Sequence, residues 1–265
     1  MKLKNKVAIV TGAAGGIGRA HALRLARLGV DVVINDIDLG AYKKFGEIIT
    51  EDSVVAEVSK IGVRCIGIEA DVSDKTGVEQ MVEKVLGKWG HIDILVNNAG
   101  GLSGEVSKSF ASSVSEKDLG ATIDGNLKGT IYCCQAVAES MKCQKWGRIV
   151  NTTSQAALQA MDDGIYASYA TAKAGVITYT RYLAQELGPY GITVNCISPA
   201  YVATARLEKN LFSLPGKREQ FLSQIALKRM ATPDDISKGV EFFVTDLGDY
   251  VTGQCLSMCG GVIRF

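Results

Sequence analysis

Short, β-branched apolar runs alternate with longer stretches of helical periodicity from Val7 almost to the end of the chain. That alternation restricts the fold sharply. Parallel neighbours need long crossovers, and the crossover helices cover both faces of the sheet they connect. The runs at 7–10, 31–35, 64–69, 92–97, 148–152, 193–197 and 255–258 therefore predict an α/β fold with a doubly wound parallel sheet of about seven strands. Several are continuously apolar, as strands covered on both sides should be. No Pro/Gly/Ser linker or composition shift divides the chain, so residues 1–265 are expected to form one domain.

Composition narrows the function classes. The 265 residues carry 29 basic and 28 acidic side chains, a formal charge of +1, which supplies no basic field for nucleic acid. Seven cysteines with no CxxC pair and only His21 and His91 beside them suggest neither a zinc site nor a disulfide framework, and no metal is expected. The apolar run after the first lysines is too short for a leader or a membrane span, and GGVIRF at the end matches no retention or lipidation signal. A cytoplasmic chain starting at Met1, with reduced thiols, is the expectation.

Directly after the first run comes Thr11-Gly12-Ala13-Ala14-Gly15-Gly16-Ile17-Gly18, opening into the helical pattern of 19–28. Strand, glycine turn and helix in this order let backbone N–H groups meet a pyrophosphate at the positive end of a helix. Asp36 ends the second strand, eighteen residues past Gly18, where a carboxylate accepts from adenosine ribose hydroxyls and repels a 2′-phosphate. Position 15 is glycine and not a basic residue, so NAD(H) is favoured over NADP(H). Asp71 after the third strand and Asn97-Asn98-Ala99-Gly100 after the fourth lie at carboxyl ends of strands, the ligand edge of such a sheet; turn formation and capping also use these residue types.

Tyr169 and Lys173 stand four residues apart on one face of a helix expected to reach Leu187. A nearby ammonium stabilises a phenolate and brings a phenol toward a useful pKa. Ser154, at the end of the fifth strand, offers a hydroxyl to a substrate oxygen, and no Gly-x-Ser-x-Gly elbow marks it as a hydrolase nucleophile.

Together these motifs resemble those of the short-chain dehydrogenase/reductases of compact single-domain type, over nearly the whole chain. The resemblance implies a Rossmann fold and a catalytic tetrad of Asn126, Ser154, Tyr169 and Lys173. By that resemblance Tyr169 is the general acid/base, Ser154 orients the substrate oxygen, Lys173 holds the nicotinamide ribose and lowers the Tyr169 pKa, and Asn126 holds a relay water. Cofactor contacts then fall to Gly12, Gly16, Ile17, Gly18, Asp36, Asp71, Val72, Asn98, Tyr169, Lys173, Val202 and Thr204. The family's Pro-Gly pair is here Pro199-Ala200, which requires a negative φ at residue 200.

The implied activity is NAD(H)-dependent interconversion of a secondary alcohol and a ketone on a small molecule. Alternatives are an acyl-CoA-type 3-hydroxy/3-oxo substrate, for which Arg206, Lys209, Lys217 and Arg218 offer charge, and a non-catalytic NAD(H)-binding subunit. Residues 201–225, with Leu207, Leu211, Phe212, Leu214, Phe221 and Leu222, read equally as a mobile lid or as an amphipathic cover for the sheet. Residues 155–165 are expected to line the pocket, with Asp162 and Asp163 facing substrate or solvent. Residues 40–49 read as a loop insertion before a helix from Thr50, 103–115 as a solvated serine-rich loop, and 115–142 as one long helical segment. A homo-oligomer, commonly a tetramer, follows from the resemblance, with Ala174, Val176, Ile177, Cys133 and Cys134 packing a neighbour or covering their own sheet.

Overall fold

The structure is a computed structural model that describes residues 3–161 and 164–263, apart from the side chains of Leu211 and Phe212. Asp162 and Asp163 lie outside the described residues, as do those two side chains of the expected lid. Seven parallel strands, β1 (Val7–Thr11), β2 (Asp31–Asp36), β3 (Cys65–Glu69), β4 (Ile94–Asn97), β5 (Gly147–Thr152), β6 (Ile192–Pro199) and β7 (Cys255–Met258), form one sheet in the order β3-β2-β1-β4-β5-β6-β7. This is the expected Rossmann-like arrangement, and the chain reverses direction across the sheet between β1 and β4, where ligands bind in such folds.

Alternation along the strands divides the core. Ala8, Val10, Val32 and Ile34 pack under α1 (Gly16–Arg27), α2 (Val54–Ser59) and a C-terminal helix, Pro233–Val244. Val7, Ile9 and Val33 turn the other way, toward α3 (Lys75–Trp89) and two later helices. A burial of this extent on both faces explains why the central strands are apolar throughout.

Several boundaries differ from the sequence reading. The helix expected from Thr50 begins at Val54, because Ser53 takes the cap and accepts the Ala56 N–H at 3.1 Å. Residues 115–142 are two helices, α4 (Glu116–Ile123) and α5 (Gly129–Gln144), joined by a π-type turn at Asp124–Lys128. The helix α6 (Ala167–Leu187) ends where predicted. Residues 201–225 are not one helix: a short turn, α7 (Ala205–Leu207), runs into a π-type turn at Glu208–Phe212 and then α8 (Lys217–Gln224). The final helix, α9 (Pro233–Val244), has Pro233 at its first position behind a Thr232–Asp235 capping box, as its sequence predicts. Cys133 and Cys134 pack under their own sheet, and Val176 and Ile177 are buried within this chain. Among the described residues no helix is long and apolar enough to cross a membrane, and no cluster of metal-ligating side chains occurs.

Candidate active site

Every predicted site residue lies at or beyond the carboxyl edge of one of the strands β1 to β6, or in the helical segments that follow them. The glycine turn fits a dinucleotide by exclusion of side chains. Gly12 sits at φ +61°, and a Cβ at Gly18 would stand 2.1 Å from the Gly12 carbonyl oxygen, so only glycine permits the approach of helix to strand. Asn98 closes the turn from the neighbouring strand, donating from Nδ2 to the Gly12 carbonyl at 3.0 Å, while Thr11 Oγ1 accepts the N–H groups of Asn98 and Ala99. At the start of α1 the Gly16 N–H donates to a carboxylate oxygen of Glu47 at 2.7 Å, so this helix terminus does engage anionic oxygen.

Asp36 Oδ2 accepts the Ala14 N–H at 3.1 Å, and burial pushes its carboxyl above the usual range against the pull of backbone N–H groups. Asp71 is exposed and accepts from both the N–H and the hydroxyl of Ser73, capping its own turn. Val72 is buried, and a Cβ at Gly129 would meet it at 2.7 Å, so Val72 wedges against the start of α5. Ile17 packs partly into the core under α1. Val202 pairs with Ala231 in an isolated bridge, and Thr204 caps α7 by accepting the Leu207 N–H at 3.3 Å. The Thr204 methyl faces Gly16, 3.6 Å from where a Cβ would stand, so the loop after β6 closes on the glycine turn. Ala200 has no positive φ, which answers the requirement set by the missing glycine.

At the chemical end, Ser154 follows β5 and Tyr169 and Lys173 rise on the first turns of α6. Ser154 Oγ accepts the Ala156 N–H at 3.2 Å, and its hydroxyl stands near enough to the Tyr169 phenol to favour the phenolate. Burial pushes that phenol up, while Ser154 and then the charge of Arg206 pull it back. Lys173 is buried, its Nζ donates to the Thr152 carbonyl at 2.8 Å and stands 5.7 Å from the Tyr169 ring centre, and desolvation lowers its pKa to about 8. Asn126, in the π-type turn, donates from Nδ2 to the carbonyls of Gly101 at 2.7 Å and Thr122 at 2.8 Å, and its Oδ1 accepts the Gly101 N–H at 2.9 Å. Its side chain is thus a clamp on the backbone after β4, and its own carbonyl accepts the Thr130 hydroxyl at 2.8 Å. A second polar chain, Asn97 to Asn151 to Thr180, ties β4, β5 and α6 together beneath the site.

Three site neighbours carry no motif. Glu47, from the 40–49 insertion, reaches the glycine turn and pairs with Arg19 at 2.9 Å. Tyr166 stands before α6 at φ +64°, unusual for a bulky residue, and its ring meets Tyr169 edge-on at 6.3 Å. Ser109, expected in a solvated loop, is buried and accepts the Tyr166 N–H at 3.1 Å. The residue types alone gave no sign of the contacts of Glu47 and Ser109, since these bridge segments remote in sequence.

Comparison with known proteins agrees with this geometry. A family model described as enoyl-(acyl carrier protein) reductase matches residues 12–263. The chain is 46% identical over 266 residues to a cyclohexanol dehydrogenase of Rhodococcus sp. strain TK6, covering 99% of this chain and 97% of that one. The chain belongs to the short-chain dehydrogenase/reductase family. It is also 43% identical over 263 residues, 98% of each chain, to the BbsD subunit of (2S)-[(R)-hydroxy(phenyl)methyl]succinyl-CoA dehydrogenase of Thauera aromatica. Among solved structures, an NAD+-bound xylitol dehydrogenase superposes with a TM-score of 0.87 at 30% identity, covering 98% of this chain and 100% of that one. The protein is accordingly an oxidoreductase of a family that uses a nicotinamide cofactor.

Proposed function

We propose that this protein is a cytoplasmic, single-domain NAD(H)-dependent dehydrogenase that interconverts a secondary alcohol and a ketone. The observation that carries the reading is the placing of the Tyr169 ring centre 5.7 Å from the Nζ of buried Lys173, with the Ser154 hydroxyl acting on the same phenol and the glycine turn and Asp36 on the same sheet edge. When bound, the nicotinamide supplies the hydride acceptor or donor; everything else falls to this chain. Ser154 holds the substrate oxygen. Tyr169 takes the hydroxyl proton in oxidation and returns one in reduction, with Ser154 and neighbouring cations stabilising its phenolate. Lys173 holds the nicotinamide ribose and, as an ammonium, favours the phenolate. Asn126 keeps Gly101 and the loop after β4 in place and carries the relay water.

Gly12, Gly16, Ile17, Gly18 and Asn98 shape the pyrophosphate end, and Asp71 and Val72 the adenine end. Val202 and Thr204 face the nicotinamide. The Asp36 carboxylate supports NAD(H) over NADP(H), because a 2′-phosphate would meet it directly. The relatives' printed activities, on cyclohexanol, xylitol and a hydroxyacyl-CoA, support alcohol oxidation with the substrate left open. A homotetramer is proposed as the assembly, to be checked by mass in solution.

The test is turnover of NAD with secondary alcohols by the protein and by Tyr169→Phe. The variant should lose at least about a thousandfold in kcat, since it removes the acid/base and the phenolate together, while NADH binding persists. Turnover surviving in Tyr169→Phe would refute the assignment.

A further inference from the structure

Arg206 lies beside Gly101, next to the Asn126 clamp, and among the described residues it forms no ion pair. It lies on α7, fixed at its base by the Thr204 cap. Its Nη1 is 3.3 Å from where a Cβ on Gly101 would stand, and its guanidinium lies 5.9 Å from the Phe45 ring centre. Among the described residues no carboxylate pairs with it. The other cations of this segment are committed elsewhere: Arg218 to Glu208 at 2.7 Å, Lys209 to the Lys44 carbonyl and Lys217 to Gln220. The charge of Arg206 acts on the phenols of both Tyr166 and Tyr169.

Tyr166 strengthens the case. A tyrosine at φ +64° is strained, and the strain is sustained by the Ser109 hydroxyl accepting its N–H. The effect is to hold a second phenol edge-on beside Tyr169, within reach of the charge of Arg206. A guanidinium that no described carboxylate engages, acting on two phenols of the site, matches a planar carboxylate.

Resting on the function proposed above, we propose that the substrate is a secondary alcohol, or its ketone, carrying a carboxylate that Arg206 and Tyr166 hold while the carbinol oxygen meets Ser154 and Tyr169. In oxidation the hydroxyl O–H breaks and its proton passes to Tyr169. The carbinol C–H breaks and its hydride, with the electron pair, goes to the oxidised nicotinamide nucleotide. A C=O bond forms and the carboxylate is unchanged.

The experiment compares cyclohexanol with 3-hydroxycyclohexane-1-carboxylate as substrates for the protein, Arg206→Met and Arg206→Lys, with Tyr169→Phe as control. Alongside, calorimetry measures 3-oxocyclohexane-1-carboxylate binding, and fluorescence measures NADH binding. The protein should favour the hydroxy acid in kcat/KM. Arg206→Met should cut that preference about 10- to 100-fold, mostly through KM, and weaken the oxo acid by a similar factor, with Arg206→Lys between them. NADH affinity should stay within about twofold. A preference for cyclohexanol, or an unchanged ratio in Arg206→Met, would overturn the proposal. So would a matched loss for both substrates with weakened NADH, which would assign Arg206 to the cofactor phosphates. Calorimetry judges the proposal even if neither alcohol is oxidised, whereas turnover insensitive to Tyr169→Phe would count against the underlying function instead.

Discussion

Lys173 is surrounded by backbone and side chains, with the Thr152 carbonyl as the partner of its ammonium. One carbonyl does not replace a hydration shell, and its pKa falls to about 8 from the ordinary 10.5. The unfolded chain therefore binds this proton more tightly than the folded one. The cost, on the order of 3 kcal/mol, is fully present below pH 8 and fades as pH climbs toward 10.5. Lys173→Met should accordingly unfold at higher urea than the parent at pH 7 without nucleotide, with the gap closing near pH 10, although its turnover is lost. Equal destabilisation at both pH values would show that burial of the charge is not the cost. Tyr169 has the opposite sign of behaviour. Its phenol is pushed up, so alcohol oxidation, which needs the phenolate, should rise with pH through the alkaline range.

At the scale of elements, the 40–49 insertion is tied to the cofactor end. Its turn at Ala41–Phe45 buries Tyr42, whose hydroxyl donates to the Asp52 carbonyl at 3.0 Å, and Glu47 then reaches the Gly16 N–H. A carboxylate there adds negative charge beside the groups proposed to receive a pyrophosphate. Glu47→Gln should tighten NADH several-fold in a fluorescence titration, the gain shrinking with added salt. Weaker binding would mean that Glu47 chiefly braces the turn. Nothing in residues 40–49 announces this, because the contacts run to Gly16 and Arg19 across a gap that periodicity does not see. The strands, by contrast, were legible in their apolar runs, and Thr232-Pro233 in its capping chemistry. Asn126 was legible as a residue type, but the π-type turn that aims it was not. Local propensity favours continuous helix through 115–142, and the turn is held by the bonds of Asn126 to Gly101 and Thr122.

Across the whole molecule, stability toward acid should depend on a residue that the chemistry does not use. His21 is completely buried in α1, and neither ring nitrogen has a hydrogen-bond partner among the described residues. Burial drives its pKa down to about 3 from 6.5. Above pH 6.5 the ring is neutral in both states and costs only its unmet hydrogen bonds. Between pH 6.5 and about 3 the unfolded chain takes up a proton that the fold refuses, so stability falls with acid by one proton's slope, roughly 2 kcal/mol by pH 5. Carboxylates held low by their partners, such as Glu57 beside Arg19, add their own losses as pH falls further. His21→Leu keeps similar volume and removes the titrating ring. Its urea midpoint should fall less between pH 8 and pH 5 than the parent's, and the difference between the two proteins should be larger at pH 5 than at pH 8. A constant offset across that range would place the acid sensitivity of this fold in its carboxylates and not in the helix beneath the cofactor turn.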